Sequence, residues 1–192
     1  PCLKMKKRCL IPILAVLFIC SFFAIASLTN NNFENGVISE NPIKYNSNVC
    51  TQVIRADGTV ELLGCSPNVL TNVGKNAIKA ILGEGTIYGA FNYIGLCNLT
   101  AGACTADATD TTIDNEFVGC GLDRTAGTYG SLTTGNWSIY NTFTSTCDNR
   151  QTNMTGILNQ STTGTLFAVN TFTDVTLQTD DQLLVNWTVW VT

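Results

Sequence analysis

The placement of six cysteines about two turn signals constrains this chain more than any other feature. In VCTQVIRADGTVELLGC, from Val49 to Cys65, Asp57-Gly58 stands between two alternating runs, the strongest short hairpin signal a sequence carries. Cys50 and Cys65 are equidistant from that pair. A two-residue turn therefore sets them opposite each other on antiparallel strands, with Cα atoms roughly 4.5–5.5 Å apart and within disulfide reach. Thr133-Thr134 lies midway between EFVGCGLDR and NWSIYNTFTSTC and opposes Cys120 to Cys147 in the same way. Cys97 and Cys104 are left for each other across a short loop. The rival reading is a metal site, but Cys97 and Cys104 lack a close-spaced CxxC partner and the chain has no His to complete a ligand set. The spacing thus favours three structural disulfides and no bound metal.

Compartment follows from the N-terminus. Lys4, Lys6, Lys7 and Arg8 precede a run from Cys9 to Phe33 without charge, and Leu10 to Ala26 reads LIPILAVLFICSFFAIA. A basic cluster before such a run marks residues 1–28 as an N-terminal hydrophobic helix, either signal peptide or membrane anchor. Ala24-Ile25-Ala26 fits the small-x-small pattern of a cleavage site. About 20 uncharged residues are also enough to span a bilayer. The stretch KRCLIPILAVLF also resembles the basic-then-apolar start of archaeal type IV pilins, which keep the apolar helix as a filament core, although Cys9 stands where those usually have a small residue. All three readings put the remainder outside the cell, where cysteines pair. Membrane contact is expected only through residues 9–28, if they are retained.

Absence of histidine removes the usual acid/base near neutral pH and the commonest metal ligand. The chain is 45% apolar and only 12% charged, against about 25% in ordinary domains. Beyond Arg8 acids exceed bases by fourteen to six. No basic footprint for phosphate exists, so a nucleic-acid partner is not expected.

Residues 29–48 are polar and Asn-rich and read as an arm or linker, with the stapled hairpin over 49–68 and a β-rich body over 69–192. In LTNVGKNAIKAILGEG, Val73, Ala77 and Ile81 recur at four-residue spacing beside Leu70 and Ile78. Thr71 is the expected N-cap, with Gly83 or Gly85 as the stop of a short amphipathic helix. From Phe91 onward, period-two alternation takes over. Its clearest case puts Leu183, Val185, Trp187, Val189 and Val191 on one face. Several short strands joined by turns predict a mainly β chain, an antiparallel β-sandwich with one short helix.

The segments LTNVGKNAIKAIL, FNYIGLC, DTTIDNEFVGCGLDR, NTFTSTCDN and GTLFAVNTFTDVTLQTDDQLLVNWTVWVT resemble, in order and spacing, a group of small tail-fibre-like proteins of phages. Those share a Leu-Thr-x-x-Gly helix start, an Asn-Tyr-Ile strand, a Glu segment before an Arg strand, a Thr-Phe-Thr strand and a closing hairpin around a double Asp. The resemblance covers about Leu70 to Thr192. It implies a β-rich structural or recognition module, and none of its motifs is catalytic. The leader and the six cysteines depart from that group, which assembles in a reducing cytoplasm. They suggest a cell-surface or archaeal relative, or a virion protein that passes through a membrane.

Five sequons start at Asn98, Asn136, Asn153, Asn159 and Asn186. With twenty Asn and thirty-seven Ser or Thr, chance alone gives about four, so their number is no signal, but each is a candidate glycosylation site. Asp107, Asp110, Asp114 and Glu116 form an acidic stretch that could contribute some calcium ligands. In Thr-rich turns, however, Asp ordinarily bonds its own backbone. Asp180-Asp181 reads as a hairpin turn. Glycoside hydrolysis would need two acids across a cleft with aromatic platforms. Here the acids sit in turns, and Trp137, Trp187 and Phe167 fit core positions. No catalytic residue and no cofactor is expected. The reading is an exported structural subunit of an extracellular appendage, fibre or filament that self-associates, with the arm over 29–48 able to add a strand to a neighbour. Its rival is an anchored adhesin or receptor-binding module for a cell-surface or glycan receptor.

Overall fold

The computed structural model describes residues 44–192, so the leader and the arm as far as residue 43 lie outside the described residues. The strands are β1 (Tyr45–Ile54), β2 (Val60–Pro67), β3 (Val69–Leu70), β4 (Tyr93–Leu96), β5 (Thr125–Ala126), β6 (Thr128–Thr133), β7 (Asn136–Thr144), β8 (Arg150–Leu158), β9 (Leu166–Leu177) and β10 (Gln182–Val191). Sheet A has the order β2-β1-β10-β7-β6 and sheet B the order β3-β9-β8-β4-β5, all neighbours antiparallel. Among the described residues the chain is mainly β, with two packed sheets and one short α-helix, α1 (Asn72–Lys79).

Sheet A follows the period-two pattern. On β10 every second residue from Leu183 to Val189 is buried, Trp187 fully. β1 pairs along its whole length with β10 and turns Ser47, Val49, Thr51 and Val53 inward. That alternation already runs at Tyr45, so the last four residues assigned to the arm are strand. Between the sheets lies a core that includes Val49, Ile94, Leu96, Phe143, Ile157, Leu177, Val185 and Trp187.

Sheet B is covered on its other face as well. Residues 97–116 form a roof tied to β8 and to the start of α1, with Leu99 N–H donating to Gln151 O at 2.9 Å and Asn72 N–H to Ala108 O at 2.7 Å. Beneath it Ile113, Met154, Leu158, Leu166 and Val169 form a second cluster with the buried Cys97 and Cys104. The room comes from two facing glycines. Gly95 and Gly156 are cross-strand partners; a Cβ on Gly95 would run into Ile113 Cδ1 at 2.6 Å, and one on Gly156 would crowd Ile113 Cγ1 at 3.0 Å and Leu166 Cδ1 at 2.9 Å. The flat spot they leave is where the Ile113 side chain lies.

The helix begins as expected, with Gly74 N–H donating to Thr71 Oγ1 at 2.9 Å. Its buried side differs from the expected stripe. Gly74, Ala77 and Ala80 face inward, while Ile81 is 42% exposed. A Cβ at Gly74 would collide with the Phe167 carbonyl, so small residues bring the helix against the β9 backbone. After Lys79 the chain widens into a π turn, Ala80–Glu84, that shifts the facing by part of a turn, and it ends at Gly85 with φ +66°.

Two turn expectations need correction. The β1–β2 loop is a three-residue one, closed by Arg55 N–H to Thr59 O at 2.8 Å with Gly58 at φ +85°. This slips the register by one residue. A bulge at Gly64, φ +105°, restores it, so Cys50 still meets Cys65. EFVGCGLDR is not a strand, because Gly119, Cys120 and Gly121 all take positive φ, 91°, 61° and 72°. β7 pairs instead with β6 around Thr134-Gly135.

Candidate functional site

The three disulfides form between Cys50 and Cys65, Cys97 and Cys104, and Cys120 and Cys147, with Cα separations of 4.0, 6.2 and 5.4 Å. The first is the opposed pair of the sequence argument. The third is not, because Cys120 lies in a left-handed turn and Cys147 beyond the end of β7. The pairing is supported there by Thr146 N–H donating to Cys120 O at 2.9 Å. Disulfides of this kind are typical of extracellular proteins.

The outer face of sheet A is a regular surface built from aligned cross-strand rows. Reading across the strands, Asn48, Thr188, Ser138 and Gly130 form one row. Cys50, Asn186, Tyr140 and Thr128 form the next, followed by Gln52, Leu184 and Thr142. Asn46, Trp190 and Asn136 continue the pattern at one end, and Ile54, Gln182 and Thr144 at the other. None of these side chains is charged. The neutral run extends along the chain, since residues 125–147 contain no Asp, Glu, Lys or Arg.

At the β6 side the sheets splay and leave an apolar cleft of about 290 Å³, lined by Phe91, Tyr129, Trp137, Ile139, Phe167 and Val189 among others. Phe91 and Phe167 pack at 4.7 Å between ring centroids with their planes tilted by 37°, and Tyr45 meets Phe167 edge-on at 5.4 Å. Trp187 is core as expected. Trp137 and Phe167 are half-buried and form the walls of this cleft. Alternation alone does not separate the two cases, because both rings point toward the opposing sheet and only the splay decides what covers them. Phe91 and Tyr129 carried no signal beyond being aromatic near strand ends.

The carboxylates hold the backbone. Asp107 accepts from Thr109 N–H and Oγ1, both at 2.7 Å, and those bonds keep its carboxyl below the usual range. Asp110 accepts from Asp107 N–H at 2.8 Å, while burial pushes its carboxyl up. Glu116 pairs with Arg124, which also donates to Thr163 O and to Gln160 O. Of the acidic stretch, Asp107 and Asp110 are therefore taken up by a turn and Glu116 by an ion pair. Among the described residues no group of three Cys, Asp or Glu converges as a metal site. Asp180-Asp181 does not close a hairpin. β9 belongs to sheet B and β10 to sheet A, so this turn crosses between sheets. Asp181 is buried beneath it and accepts from Arg55 at 2.9 Å and from the N–H groups of Ala56 and Gln178 at 3.0 Å each. Burial works to raise its carboxyl, but the Gln178, Arg55 and Ala56 hydrogen bonds outweigh that and hold it below the usual range.

The five sequons are not equivalent. Asn136 and Asn186 lie on the outer face of sheet A. Asn98 begins the roof, and Asn153 sits at a register shift in β8. Asn159 is in the loop after β8, where its Oδ1 accepts from Thr165 N–H at 2.7 Å. Thr155, the hydroxyl residue of the Asn153 sequon, is buried and donates to Gly95 O at 2.9 Å. Ser161 of the Asn159 sequon is exposed.

No family model matches this chain, and no curated protein and no solved structure matches it either.

Proposed function

We propose that this protein is an exported structural subunit of an extracellular appendage, fibre or filament, without a catalytic role. The observation that carries the reading is the uncharged outer face of sheet A. Burying Thr, Asn, Gln and Tyr against another subunit leaves no charge to desolvate, and interface cores are depleted of charged residues for that reason. The disulfides fit a domain that must persist in an oxidising space, and the basic-then-apolar leader supplies the route there. The motif order resembling small phage tail-fibre-like proteins points to the same class. A second reading, an anchored adhesin or receptor-binding module, is favoured by the aromatic cleft, whose closely packed rings suit a sugar or an apolar side chain.

Immunogold electron microscopy of the producing organism, with antibody against residues 70–192, tests this. Label along filaments or on particles is the expected result. Label spread over the envelope with no polymer overturns the subunit reading and moves the search to a ligand for the cleft.

A further inference from the structure

A sheet that ends in an unpaired strand offers its free N–H and C=O groups to any other strand, and proteins that do not use such edges blunt them with charge, proline, bulges or very short strands. Three of the four edges here are blunted in those ways. β2 carries Glu61, Pro67 and the Gly64 bulge. It is also pinned to β9, with Asn170 Nδ2 donating to Pro67 O at 2.9 Å and Ser66 Oγ to Thr171 O at 3.1 Å. β3 and β5 have two residues each, and β5 follows Arg124.

β6, TYGSLT, has six residues, with no charge and no proline, and its register shift falls at its far end, between Ser131 and Thr133, which leaves Thr128 to Ser131 regularly paired to β7. Among the described residues nothing pairs with its outer side. Tyr129 is 62% and Leu132 52% exposed along it, and Tyr129 continues into the aromatic cleft.

We propose that β6 is the strand through which two copies of this chain join, β6 against β6, antiparallel about a twofold axis. Charge identifies the occupant. Residues 44–192 hold twelve acids and six bases, so two copies repel over most of their surface and meet at least cost along the neutral stretch 125–147. An uncharged strand laid antiparallel on its own copy opposes no like charges, and a twofold contact is the commonest way for identical chains to close. Gly127 carries the chain from sheet B to sheet A just before β6. A Cβ there would meet Ile139 Cγ2 at 2.6 Å, so the start of the edge is held close to the body. The joined pair has one ten-stranded sheet with a continuous neutral outer face. This inference rests on the self-association in the subunit reading and adds where it happens.

The test is sedimentation velocity of the full chain recovered from outside the producing cell, as wild type and as Tyr129→Lys/Leu132→Lys. Both positions are exposed, and intact disulfides with an unchanged near-ultraviolet spectrum show that the variant is folded. Pairs in the wild type and at least about tenfold weaker pairing in the variant are expected, because like charges then face each other. The control Leu82→Lys, at the exposed end of the helix region, should pair as wild type. Single cysteines at Thr128, Tyr129 and Ser131 should give a covalent dimer at the position lying opposite itself. A double-lysine variant that pairs as strongly as wild type overturns the edge while leaving the subunit reading intact. A wild type that is monomeric at every concentration overturns the edge as well, and absence of filament label in the microscopy overturns the subunit reading separately.

Discussion

Sheet A and sheet B contain five strands each and share one core, yet they meet the surroundings differently. Sheet A buries one face and presents the other. Sheet B is enclosed on both, by sheet A beneath and by α1 and the 97–116 roof above. A side chain on the outside of sheet A is therefore free to be chosen for what it meets, whereas almost every position on β8 is chosen for packing.

The largest expected effect comes from opening the roof. Ile113→Ala leaves a hole over the Gly95 and Gly156 pair and should lower stability by about 2–5 kcal/mol in chemical unfolding. A loss no greater than that of an outer-face substitution would remove the distinction between the sheets.

Removing the staples singly, as Cys-to-Ser pairs, sharpens the comparison. Sequence separations of 27, 15 and 7 residues give losses of about 3.5, 3 and 2.5 kcal/mol if each bond acts by restricting the unfolded chain. A roof disulfide, Cys97–Cys104, that proves costlier than Cys50–Cys65 would show that enclosure outweighs loop length.

The next effect belongs to the turn where the chain passes between sheets. Asp181→Asn should cost about 1–3 kcal/mol at neutral pH, since it weakens an acceptor buried among Arg55, Ala56 and Gln178. The Asp181 carboxyl is held below its ordinary value. Its contribution is therefore complete above the ordinary Asp pKa of about 3.9 and lost as pH falls through the lower folded value. Unfolding measured down to strongly acid pH should show a flatter acid limb in the variant. An unchanged limb would assign acid lability to other carboxylates. Smallest of all, Gln52→Ala or Thr142→Ala on the outer face of sheet A should shift stability by no more than about 0.5 kcal/mol.

The same contrast explains what was legible in the sequence. β10 shows its faces as alternation, with Asn186 and Thr188 opposite the apolar stripe, and β1 alternates visibly from Val49 onward. On β8, Met154 and Leu158 serve the roof while Ile157 serves the core, so apolar residues crowd together and no period survives. Ile113 and the facing Gly95 and Gly156 are distant in sequence, and nothing local indicates that one covers the others. The spacing of Cys120 to Cys147 matches a hairpin and so predicts a strand at Cys120. Gly119 and Gly121, one on each side of it, were the available sign of a left-handed turn. Cys50 and Cys65 came out opposed through two compensating one-residue shifts, at Gly58 and Gly64, that spacing alone does not reveal. The cleft depends on how far two sheets splay, which no single strand encodes.

Each disulfide joins one cysteine to the next along the described chain, first with second, third with fourth, fifth with sixth. If such a chain is threaded N-terminus first into an oxidising space, none of these six thiols has to wait while an unrelated one of the six emerges. Every bond can close before the next pair arrives, and mispairing has little time to compete. The order of the cysteines thus doubles as an assembly schedule for a sandwich whose last strand, β10, is the one that β1 and β7 both require.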